Sequence, residues 1–148
     1  MNRIKIALPE VWHFSMDITI RVTDLNYGGH VGNDSFLSLI QEARQQFLLS
    51  HGYEELSIGD VGLIMTDVAI EFKKELNYGD IVKISVTAAD FDKLGFDLFY
   101  KMEVRNDEVW TLAAKAKTGM LCYDYSQKKK MQLPEDVLKK LSNAATDI

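Results

Sequence analysis

The chain has 148 residues, 47% hydrophobic and 26% charged, with 9 Gly and 2 Pro, which is typical of one soluble globular domain spanning residues 1–148. This composition excludes a disordered or collagen-like chain, and no apolar run reaches the roughly 20 residues that a membrane span needs. A net charge of −5 disfavours nucleic acid as the main partner. The single cysteine, Cys122, and the lack of a signal-peptide pattern predict a cytoplasmic protein.

Five segments alternate apolar and polar residues with a period of two, the pattern of strands with one buried face. They are residues 12–22, 64–73, 82–88, 96–105 and 110–122. The alternation places Ile64 on the same face as Val68 in the second segment, and Trp110 and Leu112 on the same face as Met120 in the fifth. Short glycine-containing links predict that the last four strands form an antiparallel meander.

One long helix is predicted over residues 35–49, because its apolar side chains recur at helical spacing. These side chains are Phe36, Ile40, Ala43 and Phe47, widened by Leu37, Leu39 and Leu48. Asn33, Asp34 and Ser35 are all candidates for its N-cap, and a short helix is expected from Pro134. The sequence therefore predicts an α+β fold in which a five-stranded antiparallel sheet wraps around one long central helix, with a short C-terminal helix.

The face of this sheet away from the helix is predicted to be only partly polar. Met65, Phe99 and Val109 are expected there among charged residues. Because partly apolar faces and open strand edges are usually covered, we expect association with another subunit.

Residues Arg21–Asn33, RVTDLNYGGHVGN, are followed in the helix by Gln41-Glu42-Ala43-Arg44. The combination resembles the signature of the hotdog-fold acyl-CoA thioesterases, in particular the 4-hydroxybenzoyl-CoA thioesterase group, whose pattern runs D-x-D-x-x-G-H-V-x-N and then E-A-R. The turn Tyr78-Gly79-Asp80 is a further shared feature, and the resemblance extends from about residue 12 to residue 130.

This resemblance implies a hotdog fold and the hydrolysis of an acyl-CoA or acyl-carrier-protein thioester to a free acid and a thiol. It implies no cofactor, since CoA is part of the substrate. It also implies homodimers, and tetramers built from them, with active sites at the boundary between subunits.

The sequence departs from the family pattern at one position. The second acidic residue of D-x-D, the usual catalytic carboxylate of the group, is replaced here by Asn26. A neutral amide cannot accept a proton or attack a thioester as a carboxylate does. Either another carboxylate acts, or the protein binds a thioester or lipid-like ligand without cleaving it.

The loop from Gly28 to Gly32 is expected to lead into the start of the helix, where unpaired N–H groups favour negative charge. This helix start is a candidate oxyanion hole for the thioester carbonyl. Six residues of the loop and first turn are predicted to contact substrate: Tyr27, Gly29, Val31, Gly32, Asn33 and Phe36.

Four residues are candidates for the catalytic chemistry. Glu42 is the first choice for the missing carboxylate, because another branch of the family uses a helix glutamate near this position; otherwise it is a partner for Arg44 or a solvated residue. Asp24 is the second choice. His30 is a base, a hydrogen-bonding group or a loop histidine, and Asn26 could hold water or the thioester carbonyl.

Other reaction classes lack their motifs. No serine lies in G-x-S-x-G, and no phosphate-binding glycine loop is present. The three histidines, His13, His30 and His51, have no ligand-like spacing, so no metal is expected. Cys122 falls on the apolar face of the fifth strand and is expected to pack in the core.

Overall fold

The computed structural model describes residues 1–143, which form a six-stranded antiparallel sheet and two helices. The strands are β1 (Phe14–Thr19), β2 (Gly62–Phe72), β3 (Ile81–Ala89), β4 (Gly95–Asn106), β5 (Val109–Asp124) and β6 (Lys129–Lys130). The helices are α1 (Asn33–Ser50) and α2 (Glu135–Asn143), and a 3-10 turn (Val22–Asp24) follows β1. The predicted α+β architecture is confirmed, with the two-residue β6 added to the five predicted strands.

The strands are ordered β1-β3-β4-β5-β2, with β6 paired to the end of β5. The predicted meander is therefore correct only for β3, β4 and β5, because β2 pairs with β5. The turn at residues 77–80 closes against β1 instead: Gly79 N–H donates to Ile20 O (3.0 Å), and Ile20 N–H donates to Asp80 O (2.9 Å). This connection places β2 at the edge of the sheet opposite β1.

Helix α1 packs on one face of the sheet through the predicted apolar stripe. Its side chains Phe36, Ile40, Ala43 and Phe47 are at most 2% exposed. The Phe36 ring makes an edge contact with Phe72 of β2 (5.1 Å between centroids). Leu37, which was expected to widen the stripe, is 40% exposed and lies outside the core.

A bulge in β2 inverts part of the predicted alternation. Met65 pairs with Met120 and Asp67 with Gly119, so Thr66 is an extra residue. The prediction that Ile64 shares a face with Val68 is therefore wrong. For the same reason Met65 lies on the helix side of the sheet, not on the outer face.

A second bulge has the same effect in β5. Met102 of β4 pairs with Ala114 and Glu103 with Leu112, which leaves Ala113 as the extra residue. The prediction that Trp110 and Leu112 share the face of Met120 is wrong, because both precede the bulge. Trp110 lies on the outer face of the sheet, where the Lys83 ammonium is 4.8 Å from the centre of its ring.

The segment that precedes β1 crosses the outer face of the sheet. Lys115 Nζ of β5 donates to Ile6 O (3.4 Å), and Lys101 Nζ of β4 lies 5.0 Å from the centre of the Trp12 ring. Ile6 is buried by this arrangement. Phe99, predicted to lie uncovered on this face, is only 8% exposed. The chain thus covers part of its own outer face.

One polar network is buried between α1 and the sheet. Arg44 Nε–H donates to Glu55 Oε1 (2.6 Å), and Arg44 Nη1–H donates to Tyr100 Oη (3.3 Å). The Tyr100 hydroxyl also bonds Thr118 Oγ1 (2.8 Å). Burial raises the pKa of Tyr100, which keeps the phenol protonated. All the groups of the network have partners, as buried polar groups require.

Candidate functional site

The glycine-rich loop before α1 folds back on Asn26. Asn26 Oδ1 accepts a hydrogen bond from Gly28 N–H (2.8 Å), and Asn26 O accepts one from Gly29 N–H (3.1 Å). Asn26 N–H donates to His30 O (2.9 Å), which closes the loop. Gly29 has a φ of +84°, a conformation that side chains other than glycine rarely adopt. These bonds hold the Asn26 side chain close to the start of α1.

The first turn of α1 is left without a side-chain cap. The N-cap is Gly32, and not Asn33, Asp34 or Ser35; its carbonyl accepts from Ser35 N–H (3.0 Å) and Phe36 N–H (3.2 Å). Within residues 1–143, the N–H groups of Asn33 and Asp34 have no protein acceptor. Because they lie at the positive end of the helix, they are suited to an anionic oxygen.

Glycines at 28 and 32 make room for three polar side chains. A β-carbon at position 28 would lie 3.2 Å from Asn26 Oδ1 and 3.5 Å from His30 Nε2. A β-carbon at position 32 would lie 3.7 Å from Asn26 Nδ2 and only 2.6 Å from Asp34 Oδ1. The Asn26 amide therefore adjoins the Gly28 backbone together with His30, and the Gly32 backbone together with Asp34.

A cavity of about 320 Å³ opens beside this loop. It is lined by His30, Val31, Asn33, Phe36, Phe72, Lys73, Lys74 and Glu75. The edge contact between Phe36 and Phe72 gives it an apolar wall, while His30 Nε2 lies 3.9 Å from Glu75 Oε1 at its polar side. A larger cavity of about 720 Å³ lies at the start of α2, and none of residues 26–32 of the glycine-rich loop lines it.

Asp24 is bonded to its own turn. Its carboxylate is buried and accepts hydrogen bonds from Arg21 N–H (2.8 Å), Nε–H (3.3 Å) and Nη2–H (3.1 Å). Burial alone would raise the pKa of Asp24, but the hydrogen bonds and charge of Arg21 outweigh it and lower the pKa. Since a carboxylate so stabilised is a weak base, this geometry favours a capping role for Asp24.

Glu42 lies on another side of α1. It is exposed and accepts a hydrogen bond from Gln46 Nε2–H (2.8 Å). Glu42 and Phe36 point about 120° apart around the helix axis. Phe36 faces β2. Glu42 instead acts on Arg21, which follows β1: the pKa of Arg21 is raised mainly by Asp24 and slightly by the charge of Glu42. The structure therefore does not bring Glu42 to the cavity.

The structure gathers most of the predicted catalytic and substrate-contacting residues at one place. His30, Val31, Asn33 and Phe36 line the cavity, and Asn26, Gly29 and Gly32 adjoin it in the loop. Tyr27 is fully exposed. Sequence reasoning missed Phe72 and Glu75 as cavity residues and considered Asp34 only as a cap. Phe72 could not be found by pattern, because its approach to Phe36 depends on the position of β2.

Cys122 is buried, as predicted, and burial raises the pKa of its thiol to about 11. Over residues 1–143, no three His, Cys, Asp or Glu side chains are placed to share a metal ion. In the same part of the chain, neither helix has the length and hydrophobicity to cross a membrane.

The sequence profile of the thioesterase-like superfamily matches residues 20–141, which include the loop, α1 and most of the sheet. Comparison with curated proteins gives no match.

Three solved structures illustrate the similarity of fold. A 1,4-dihydroxy-2-naphthoyl-CoA thioesterase from Synechocystis is 23% identical, with a TM-score of 0.72 over 91% of this chain and 96% of its own. An aspartate-to-asparagine mutant of 4-hydroxybenzoyl-CoA thioesterase, complexed with 4-hydroxybenzoyl-CoA, is 13% identical, with a TM-score of 0.78 over 86% and 97%. A Staphylococcus aureus protein in complex with CoA is 16% identical, with a TM-score of 0.79 over 95% and 89%. The hotdog fold is shared with all three.

Proposed function

Because this chain belongs to the thioesterase-like superfamily, we propose that it hydrolyses an acyl-CoA thioester to a free acid and a thiol. The observation that carries the proposal is the uncapped start of α1. Two N–H groups, of Asn33 and Asp34, are left there for a ligand next to a cavity with an apolar wall. This is the arrangement that the oxyanion of a tetrahedral intermediate requires.

The substrate would lie across the start of α1. Its carbonyl oxygen would accept hydrogen bonds from Asn33 and Asp34 N–H, and its acyl group would pack against Phe36 and Phe72. The Asn26 amide, which cannot act as a base, would orient the carbonyl or a water molecule. Lys74 at the rim would attract the phosphates of CoA.

Thiol release from a panel of acyl-CoAs and acyl-carrier thioesters tests the function. The panel should span short, long and aromatic acyl groups, because the sequence does not specify the chain. We expect turnover above the buffer rate for at least one class. We also expect Asn26→Ala to lower kcat while the melting temperature stays unchanged. Absence of turnover over the whole panel would refute the proposal.

A second function is favoured by Asn26 and by the positions of Asp24 and Glu42. If no group activates water, the protein holds an acyl thioester or a lipid-like ligand without cleaving it. Calorimetry that detects acyl-CoA binding, combined with no turnover of the bound compound, would support this second function. Turnover would exclude it.

We further propose that the chain works as a homodimer, through β2. Within residues 1–143, this edge strand pairs with β5 on one side and with no strand on the other. On its helix-facing surface, Met65, Val68 and Phe72 are 43%, 40% and 48% exposed. A second copy of β2 would pair with the open edge and cover these side chains. Tetramers of such dimers and a cytoplasmic location are the corresponding proposals for assembly and compartment.

Light scattering after size exclusion tests the dimer. Val68→Lys should yield a monomer, because a charge would be buried at the interface. Val109→Lys is the matched control, since Val109 is 63% exposed and lies on β5, away from this edge. A monomeric wild-type protein at micromolar concentration would contradict the proposal.

A further inference from the structure

Hydrolysis requires a group that takes a proton from the attacking water. Asn26 is neutral, Asp24 is bonded to Arg21, and Glu42 lies about two turns along α1 from its uncapped start and bonds Gln46. We propose that Asp34, in the first turn of α1, is the catalytic carboxylate. This inference rests on the hydrolysis proposed above and assigns the base that it needs.

The position of Asp34 relative to Asn26 carries the inference. Asp34 Oδ1, Asn26 Nδ2 and Asn26 Cβ lie 2.6, 3.7 and 3.4 Å from where a β-carbon on Gly32 would be, so they share one side of the Gly32 backbone. Asn26 occupies the position of the second acidic residue in the family pattern that the sequence resembles. The chain thus has an amide at that position and a carboxylate on the same side of the Gly32 backbone.

The carboxylate also adjoins the proposed oxyanion hole. Asp34 is exposed, and its own N–H is one of the two donors at the start of α1. An acid in a first helical turn often only bonds or neutralises the N-terminal N–H groups. Here, within residues 1–143, no protein donor bonds the Asp34 carboxylate, so its oxygens are available to water.

The reaction balances without any further reagent. Asp34 accepts a proton from water as the water oxygen bonds to the carbonyl carbon, and the resulting oxyanion accepts from Asn33 and Asp34 N–H. The tetrahedral intermediate then collapses and the C–S bond breaks. The leaving thiolate takes the proton from Asp34. The products are a carboxylic acid and a thiol, and the Asp34 carboxylate is regenerated.

His30 and Glu75 are the competing groups in the cavity. His30 Nε2 lies 3.9 Å from Glu75 Oε1, and His30 Nδ1 lies 3.4 Å from Val31 O. Both ring nitrogens thus have a protein oxygen nearby, whereas, within residues 1–143, no protein donor bonds the Asp34 carboxylate. The carboxylate without a protein donor therefore favours Asp34 over His30 as the group that accepts the proton.

The test compares Asp34→Asn with wild type on the best acyl-CoA of the panel. We expect kcat to fall by about 10²- to 10⁴-fold, the usual contribution of a general base, with KM and melting temperature little changed. The matched control is Asp60→Asn, an exposed aspartate in the turn before β2, which should keep full activity. The acid limb of the pH profile should be present in wild type and absent from Asp34→Asn.

A double variant separates a chemical role from a structural one. Asn26→Asp combined with Asp34→Asn restores a carboxylate at the family position and should recover most of the lost kcat, which simple damage to the helix start would not allow. If Asp34→Asn does not fold, the same comparison is made with Asp34→Ala, whose activity added formate should raise. Formate should leave Asp60→Asn unchanged.

The outcomes distinguish this inference from the function on which it rests. Wild type without turnover would overturn the proposed hydrolysis, and this assignment with it. Wild-type turnover that Asp34→Asn retains would overturn only the assignment. So would an acid limb that persists in Asp34→Asn and disappears in His30→Gln or Glu75→Gln.

Discussion

The two ends of α1 satisfy their polar groups in opposite ways. At the N-terminal end, the cap is a glycine, two N–H groups lack an acceptor among the residues that the structure describes, and Asn33 and Asp34 have exposed side chains. Toward the C-terminal end, Arg44 is buried and bonded to both Glu55 and Tyr100. Because unsatisfied donors are tolerated only where water or a ligand reaches them, the first end is suited to binding and the second to stability.

Removal of Arg44 should have the largest effect, and on stability. Arg44→Ala leaves Glu55 without its cation and opens a gap beneath α1. We expect the free energy of unfolding to fall by about 3 kcal/mol. This is the low end of the range for a buried ion pair, because Glu55 is partly exposed. Urea denaturation measures it. Gln41→Ala, an exposed change in the same helix, should stay within about 0.5 kcal/mol of wild type.

A methyl group at position 32 should affect activity and leave stability almost unchanged. The Gly32 backbone, at φ −70° and ψ 157°, is accessible to alanine, but the new β-carbon would lie 2.6 Å from Asp34 Oδ1. Gly32→Ala should displace the carboxylate and lower kcat by about 10²-fold. Ser38→Ala, on the exposed side of α1, is the control. A variant with wild-type turnover would show that the space over Gly32 is not part of the site.

Removal of the Tyr100 hydroxyl should have the smallest effect. Tyr100→Phe leaves Thr118 Oγ1 and one Arg44 N–H without this partner, and we expect a loss of about 1.5 kcal/mol with unchanged kcat. Adding Thr118→Val should recover part of the loss, because the orphaned hydroxyl is removed. If Tyr100→Phe lowered turnover without lowering stability, the assignment of binding to the N-terminal end of α1 and of stability to the Arg44 network would be wrong.

Local sequence patterns predicted the helices and strands well, but predicted less well which strands pair and which face each side chain occupies. The spacing of Phe36, Ile40, Ala43 and Phe47 predicted α1 and its buried face, because helical periodicity depends only on residues a few positions apart. Alternation predicted the five long strands but reversed the faces of Ile64 and Trp110. Each lies before a bulge, and the one extra residue in a bulge moves all the side chains that precede it in the strand to the opposite face of the sheet.

The sequence by itself determined the hotdog fold class, the glycine-rich loop and the polar residue types around it. Only the tertiary structure decided that β2 lies beside β5 and that Phe72 meets Phe36. It also decided that Arg21 bonds Asp24, while no donor within residues 1–143 bonds the Asp34 carboxylate near Gly32. The physical reason is the range of the interactions. Helical and strand periodicity arise between near neighbours in the chain, whereas the environment of a carboxylate depends on which distant groups folding brings within hydrogen-bonding distance.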